Sequence, residues 1–322
     1  MSVTEQGLLE RDKDTMTLNM GPQHPSTHGV FRVVLEMDGE VVRSADPDIG
    51  FLHTGIEKTG EHKRYVHCIP MTDRLDYLCP PQNNLAFCLT VEKLMGIETL
   101  PARADYLRVI MCELGRIGSH LVWLGTHALD IGAMTIFLYC WRERETILDL
   151  NELISGVRMM TSYIRIGGVA QDCLPEWLDK VGAFVEEFPE KVDEYESLLT
   201  KNPIWLDRTQ GVGAISKEDA LNWSMSGPVL RAAGIGFDWR KERPYSRYED
   251  FDFKVPTRSN GDIYDRYLVR VEEMRQSREI IKQALEKLPS GPYKLEDNKV
   301  SLPDRKKLHT SMEALIHHFK LV

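Results

Sequence analysis

His24 and His28 offer the most direct acid–base chemistry in this 322-residue chain. They stand four apart in Asn19-Met20-Gly21-Pro22-Gln23-His24-Pro25-Ser26-Thr27-His28-Gly29. An imidazole titrates near neutrality, so it can donate or accept a proton, and it can ligate a metal. Pro25 pushes His24 out of the helical region, and Gly21 and Gly29 admit backbone angles that other residues avoid. The pair is therefore expected on a loop, not on the helix face that a two-histidine zinc site requires. Spacing alone favours a structural turn whose histidines bond the backbone.

Other candidates are weaker by themselves. Tyr77 follows Asp73-Arg74-Leu75-Asp76 at a turn before Cys79-Pro80-Pro81, and its ordinary reading is a core tyrosine with a satisfied hydroxyl. His53, His62 and His67 share no helical period and read as scattered polar residues. Asp130 lies among Ala128, Leu129, Ile131 and Gly132, neighbours that predict burial. Glu113, Arg116, His120, His127 and Asp130 also form a polar stripe whose ordinary reading is a hydrated face. Cys68, Cys79, Cys88, Cys112, Cys140 and Cys173 include no Cys-x-x-Cys pair. A metal site or iron–sulfur cluster built by this chain alone is not expected, and the default is reduced, buried thiols. Gly211-Val212-Gly213 is too short for a nucleotide loop.

These residues must be positioned by regular elements. Met16 to Met20 reads as a strand, and Val30 to Asp46 as a hairpin turning at Asp38-Gly39, with Pro47 ending its second strand. Residues 83–95 read as a helix, and Pro101 suits the first position of the next. There Leu107, Ile110, Leu114, Ile117, Leu121, Leu124, Ala128 and Ile131 recur at steps of three and four. They form a buried stripe about eight turns long. Gly118, Gly125 and Gly132 recur every seven residues, which implies close packing, because an internal glycine costs about 1 kcal/mol relative to alanine. Helix is predicted to continue over 135–160, where Arg142-Glu143-Arg144-Glu145 reads as surface pairing. Further helices are predicted over 175–199, 216–225 (Ser216 capping), 263–288 and 310–319, with strand-like pieces in 237–260. The fold expected is mainly α with a small N-terminal α/β part. Its divisions are a mobile tail over 1–14, an α/β part over 15–82, and a helical domain over 83–322 with an irregular insertion at about 203–262.

Composition bounds the function. Apolar residues make up 42% and charged residues 28%, as in globular proteins with a real core. Forty basic against forty-nine acidic residues give −9, which argues against nucleic-acid binding and against an unaided polybasic grip on lipid. No apolar run reaches the length of a membrane span, and the polar start is unlike a secretion signal, so a cytoplasmic location is expected.

Gly21-Pro22-Gln23-His24-Pro25-Ser26-Thr27-His28-Gly29 resembles the signature of the quinone-site family of respiratory complex I, the D subunits of proton-pumping NADH:quinone oxidoreductase. More blocks agree in order: Gly50-Phe51-Leu52-His53-Thr54-Gly55, Asp73-Arg74-Leu75-Asp76-Tyr77, Ala128 to Ala133, Arg142 to Glu145, Tyr163 to Val169, and Gly211 to Gly213. The similarity runs from about Met16 to the last residue. It implies a helical bundle like that of the related nickel–iron hydrogenase large subunits. Relatives continue into a further C-terminal segment, so a fragment or a split gene is expected here.

The resemblance implies that His28 and Tyr77 hold and protonate the quinone head-group, with Asp130 re-protonating or reorienting the histidine. Arg74, Met160 and Arg165 would face an iron–sulfur cluster held by a partner, the cluster-bearing B subunit of the complex. The C subunit and the quinone-channel H subunit of the membrane part are the other partners implied. Quinone is the substrate, and this chain alone binds no cofactor or metal. The setting implied is peripheral, on the cytoplasmic side of the bacterial cell membrane and attached through partners, with proton translocation coupled to turnover. The electron donor, whether NADH, a deazaflavin or ferredoxin, would enter elsewhere in the complex. Many relatives carry histidine where Met160 stands, so a partner cluster with little pH dependence of potential is expected. A hydrogenase would need two cysteine pairs, and near Tyr77 only Cys79 is present. A purely structural role in assembly is the remaining alternative.

Overall fold

The computed structural model describes residues 15–322; the tail expected over 1–14 lies outside them. The described residues form two compact units, 15–62 and 63–322. The division falls twenty residues before the one read from the sequence. Residues 65–82 belong with the helical unit because Thr72 and Asp73 hydrogen-bond Asn84 on the first long helix.

The first unit carries a three-stranded antiparallel sheet in the order β1 (Met16–Met20), β2 (Arg32–Asp38), β3 (Val41–Asp48), followed by the short helix α1 (Ile56–Glu61). The hairpin turns at Gly39 with φ 62°, as the Asp-Gly pair predicts. Pro47 does not end β3; it pairs with Val33, which an edge strand tolerates because a proline there removes no central ladder bond.

The second unit is helical. Its order is α2 (Tyr65–Thr72), α3 (Pro80–Leu94), α4 (Ala102–Ile131), α5 (Met134–Ser155), a β4 (Ile164–Arg165) and β5 (Gly168–Val169) hairpin, then α6 (Pro175–Leu199). Short helices α7 (Pro203–Thr209), α8 (Lys217–Asn222), α9 (Gly227–Ala232) and α10 (Trp239–Glu242) lead to α11 (Ile263–Lys287) and α12 (Met312–Leu321). Residues 237–260 contain turns and short helices where strands were expected. The fold is mainly α, as the periodicity predicts.

α4 is the hub, packed against α3, α5 and α11. Seven of the eight residues of its predicted stripe are buried, and Ile131 at the end is half-buried. Gly125 lets α5 approach: a Cβ there would lie 3.3 Å from Cys140 Cβ and 3.4 Å from the Phe137 backbone. Gly118 faces Ile147 at 3.9 Å. Gly132 has a different role. Its φ of 108° ends the helix, and Ala133 N–H reaches back to the Ala128 carbonyl at 2.7 Å. α5 stops at Ser155, where Gly156 with φ 81° caps it, so Met160 lies on a loop and not on a helix.

The polar stripe of α4 is not a hydrated face at its N-terminal end. Glu113 is fully buried and accepts from Arg240, Arg116 and the Tyr248 hydroxyl. His120 bonds Glu273 at 2.7 Å, and Glu273 also pairs with Arg231. Burial would raise the Glu113 carboxyl, but the adjacent Arg116 and Arg240 charges outweigh it and hold the group far below the carboxylate range. The Arg142–Glu145 run is likewise divided. Arg142 pairs with Glu194 at the surface, while Glu143 and Arg144 are buried.

Candidate functional site

The His loop folds on itself within the first unit. Gly21 takes φ 84°, and a Cβ there would meet the Phe31 carbonyl at 2.0 Å, so only glycine fits. Thr27 is buried, and its hydroxyl lies 3.0 Å from the His24 carbonyl and 3.3 Å from that of Pro22. His24 is extended and caps the turn: its Nδ1 accepts from Ser26 N–H at 3.1 Å. That satisfies the structural reading for His24. His28 differs. It holds a left-handed backbone with φ 53° and is exposed. A non-glycine residue in that conformation is uncommon and marks a position worth functional attention.

In the second unit, Arg74 and Tyr77 share the turn between α2 and α3. Asp76 closes it, accepting from Leu78 N–H on its side chain and from Asn83 Nδ2 on its carbonyl. Tyr77 is 45% exposed, so it is not the core tyrosine of the ordinary reading. It borders a small crevice lined by Leu78, Pro81, Ile147 and Met159 together with the polar Arg144 and Asn151; Gly118 on α4 lines it too. Arg165 is half-buried in β4, and its Nε donates to the Ser162 carbonyl at 2.6 Å. Met160 is half-buried two residues before Ser162.

Sequence reasoning overlooked what holds this hairpin. Arg108, fully buried on α4, donates to both Glu92 oxygens and to the carbonyls of Arg165 and Gly168. Glu92 in turn accepts from Gly167 N–H at 2.8 Å. Only an arginine's planar fork serves so many acceptors at once. Arg108 falls one position after the apolar stripe residue Leu107, and that proximity was the available signal.

Asp130 is exposed in this chain, as is Leu129, so the burial expected from its neighbours is not supplied by the chain's own packing. It lies about three turns along α4 from Gly118, a rise of roughly 18 Å. His127, one turn back, feels its charge. His28 and Tyr77 belong to different units.

All six cysteines are free, and five are buried. Burial pushes the Cys79 and Cys88 thiols up to about 12, so they stay protonated and are poor ligands. Among the described residues, no group of three or more His, Cys, Asp or Glu side chains is placed to hold a metal ion. No helix among them is long and apolar enough to cross a membrane.

The helical unit thus carries a half-exposed tyrosine on a turn with Arg74, and the histidine loop belongs to the other unit. Residues 130–322 match the family described as "Respiratory-chain NADH dehydrogenase, 49 Kd subunit", and the chain belongs to that family. Over 316 residues it is 58% identical to an NADH-quinone oxidoreductase D subunit of Koribacter versatilis, covering 98% of this chain and 79% of that protein. It is 58% identical over 307 residues to an NADH-quinone oxidoreductase D subunit of Solibacter usitatus, covering 95% and 75%. With the corresponding D subunit of Trichlorobacter lovleyi the identity is 54% over 310 residues, covering 96% and 79%.

Proposed function

We propose that this chain forms the quinone-reduction site of a complex I-type NADH:quinone oxidoreductase, next to an iron–sulfur cluster held by its partner, the B subunit. The C and H subunits complete its surroundings, and the chain is peripheral on the cytoplasmic side of the membrane, in a complex that couples turnover to proton translocation. The observation that carries this reading is Tyr77: a half-exposed tyrosine at the rim of a small crevice, on a turn that also presents Arg74. Apolar side chains in that crevice suit the face of a quinone ring, and Tyr77, Arg144 and Asn151 offer polar groups to its edge. The scattered cysteines do not fit a cluster, so the cluster is assigned to the partner.

Quinone reduction takes two electrons and two protons. The electrons arrive from the partner's cluster. Tyr77 and His28 hold the two carbonyls and donate protons to them, because a reduced quinone is basic enough to take one even from a phenol. Asp130 re-protonates or reorients His28 after each turnover. Arg74 and Arg165 are fixed charges facing the partner. The isolated chain, without an electron source, is inactive.

Tyr77→Phe tests the reading in the assembled complex. Quinone reduction is expected to fall by about a hundredfold, the scale of one general acid, while reduction of the partner's cluster stays normal. Unchanged turnover would return Tyr77 to a structural role and leave this chain a scaffold for assembly.

A further inference from the structure

Asp73 sits fully buried at the end of α2, directly before Arg74. Its carboxylate joins three segments. One oxygen accepts from Asn84 Nδ2 on α3 at 2.6 Å. The other accepts from the Ser162 hydroxyl at 2.5 Å, on the loop that leads into β4. Asn84 is itself oriented by the Thr72 hydroxyl at 2.7 Å. Ser162 holds a left-handed backbone with φ 43°, and its carbonyl receives Arg165 Nε. Bonds therefore run without a break from the Arg74–Tyr77 turn, through Asp73 and Ser162, to Arg165.

A buried carboxylate is costly unless it is paired, and an apolar side chain would fill the same space more cheaply. Burial pushes the Asp73 carboxyl up, while Ser162, Asn84 and the Arg74 charge pull it down. Burial lowers Arg165, and the Asp73 charge opposes this. Asp73 thus lies in the field of both arginines.

We infer that Asp73 is a positioning residue that locks the Arg74–Tyr77 turn to the Ser162–Arg165 loop and sets a buried negative charge that acts on both arginines. The inference rests on the reading that Tyr77 meets the quinone and the arginines face the partner's cluster. Without the carboxylate, two guanidinium groups stand uncompensated beside that cluster. Added positive charge favours its reduced form.

The test uses the assembled complex with two variants. Asp73→Asn keeps the size but sets an amide N–H₂ against one of the two donors. Ser162→Gly suits the left-handed backbone and removes only the hydroxyl link. In Asp73→Asn the potential of the partner's cluster should rise and quinone turnover should fall about tenfold, as when an outer partner of a site is lost. In both variants, amide exchange over 74–79 and 160–166 should quicken together, because one lock holds both. An unmoved potential in an assembled Asp73→Asn complex overturns the inference, even if turnover falls, since general loosening explains that. Where Asp73→Asn does not assemble, Ser162→Gly decides: coupled exchange supports the lock, and exchange altered in one segment alone overturns it. Tyr77→Phe and Arg165→Gln, both at full turnover with an unmoved potential, would instead sink the underlying functional reading while leaving the lock intact.

Discussion

On the functional reading proposed, Met160 occupies a place where a titratable side chain would tie electron arrival to proton uptake. A histidine beside a cluster takes up a proton when the cluster gains negative charge; a thioether has no proton to exchange. On the functional reading proposed, the partner's cluster should titrate with little dependence on pH around neutrality. Met160→His is expected to introduce such dependence, and redox titration at several pH values checks it; a steep slope already present in the native complex would show another group at work. Glu273 gives a prediction for the chain itself. Burial would raise its carboxyl, but the His120 bond and the Arg231 charge lower it from 4.5 to about 2. His120 is pushed below its ordinary 6.5 by burial, against the pull of Glu273. Both folded forms therefore bind fewer protons than the unfolded chain. Their stabilisation is complete above about 6.5, and is lost first by His120 and then by Glu273 as the pH falls towards 2. Denaturant unfolding at stepped pH should show this acid limb. Glu273→Gln should flatten its lower part, at a cost near neutrality of about 3–5 kcal/mol because the buried Arg231 loses its counter-charge and keeps only the Phe237 carbonyl.

Among the elements, the α4–α5 contact depends on small residues. Gly125 has no room for a longer side chain, with Cys140, Phe137 and Trp141 within 3.5 Å of where a Cβ would stand. Gly125→Leu should push the helices apart and cost about 1–3 kcal/mol, read as a lower unfolding midpoint, while Gly182→Leu, with nothing near its Cβ position, should escape that steric penalty. The seven-residue glycine spacing exposed this contact in the sequence. It misled at Gly132, because a C-terminal glycine cap and a packing glycine look alike when read one residue at a time. The helices over 175–199 and 263–287 were legible almost to the residue. Each has a proline or an aspartate at its start and an apolar stripe long enough to fix the period. The strands expected in 237–260 failed for a definite reason. Aromatic residues there, among them Tyr248, Phe251 and Phe253, are buried by packing onto the helical core and not by pairing in a sheet.

At the scale of the whole molecule, the described apolar core belongs to residues 63–322. In the first unit, Thr27 is the sole buried residue among those described, while Leu18, Val41, Val42, Phe51 and Leu52 are exposed. A small sheet without a buried face is marginal in water, and apolar surface of this kind marks contact with partners. Amide exchange of the isolated chain should therefore be fast over β1–β3 and slow over α4, and assembly should slow the sheet. Slow exchange over the sheet in the isolated chain would contradict this.

The sequence by itself determined the long helices, the first hairpin, the His loop as a turn and the family, because periodicity, glycine and proline act locally. Only the tertiary structure decided which polar residues are buried. Glu113, Arg116 and His120 share a face in any helix, but that face is dry because Arg240 and Glu273 arrive from more than a hundred residues away to neutralise it. Asp73 and Arg108 were hidden for the same reason. A carboxylate or guanidinium shows its type in the sequence, but its partners on other segments, Ser162 for one and Glu92 for the other, meet it only when the chain has folded.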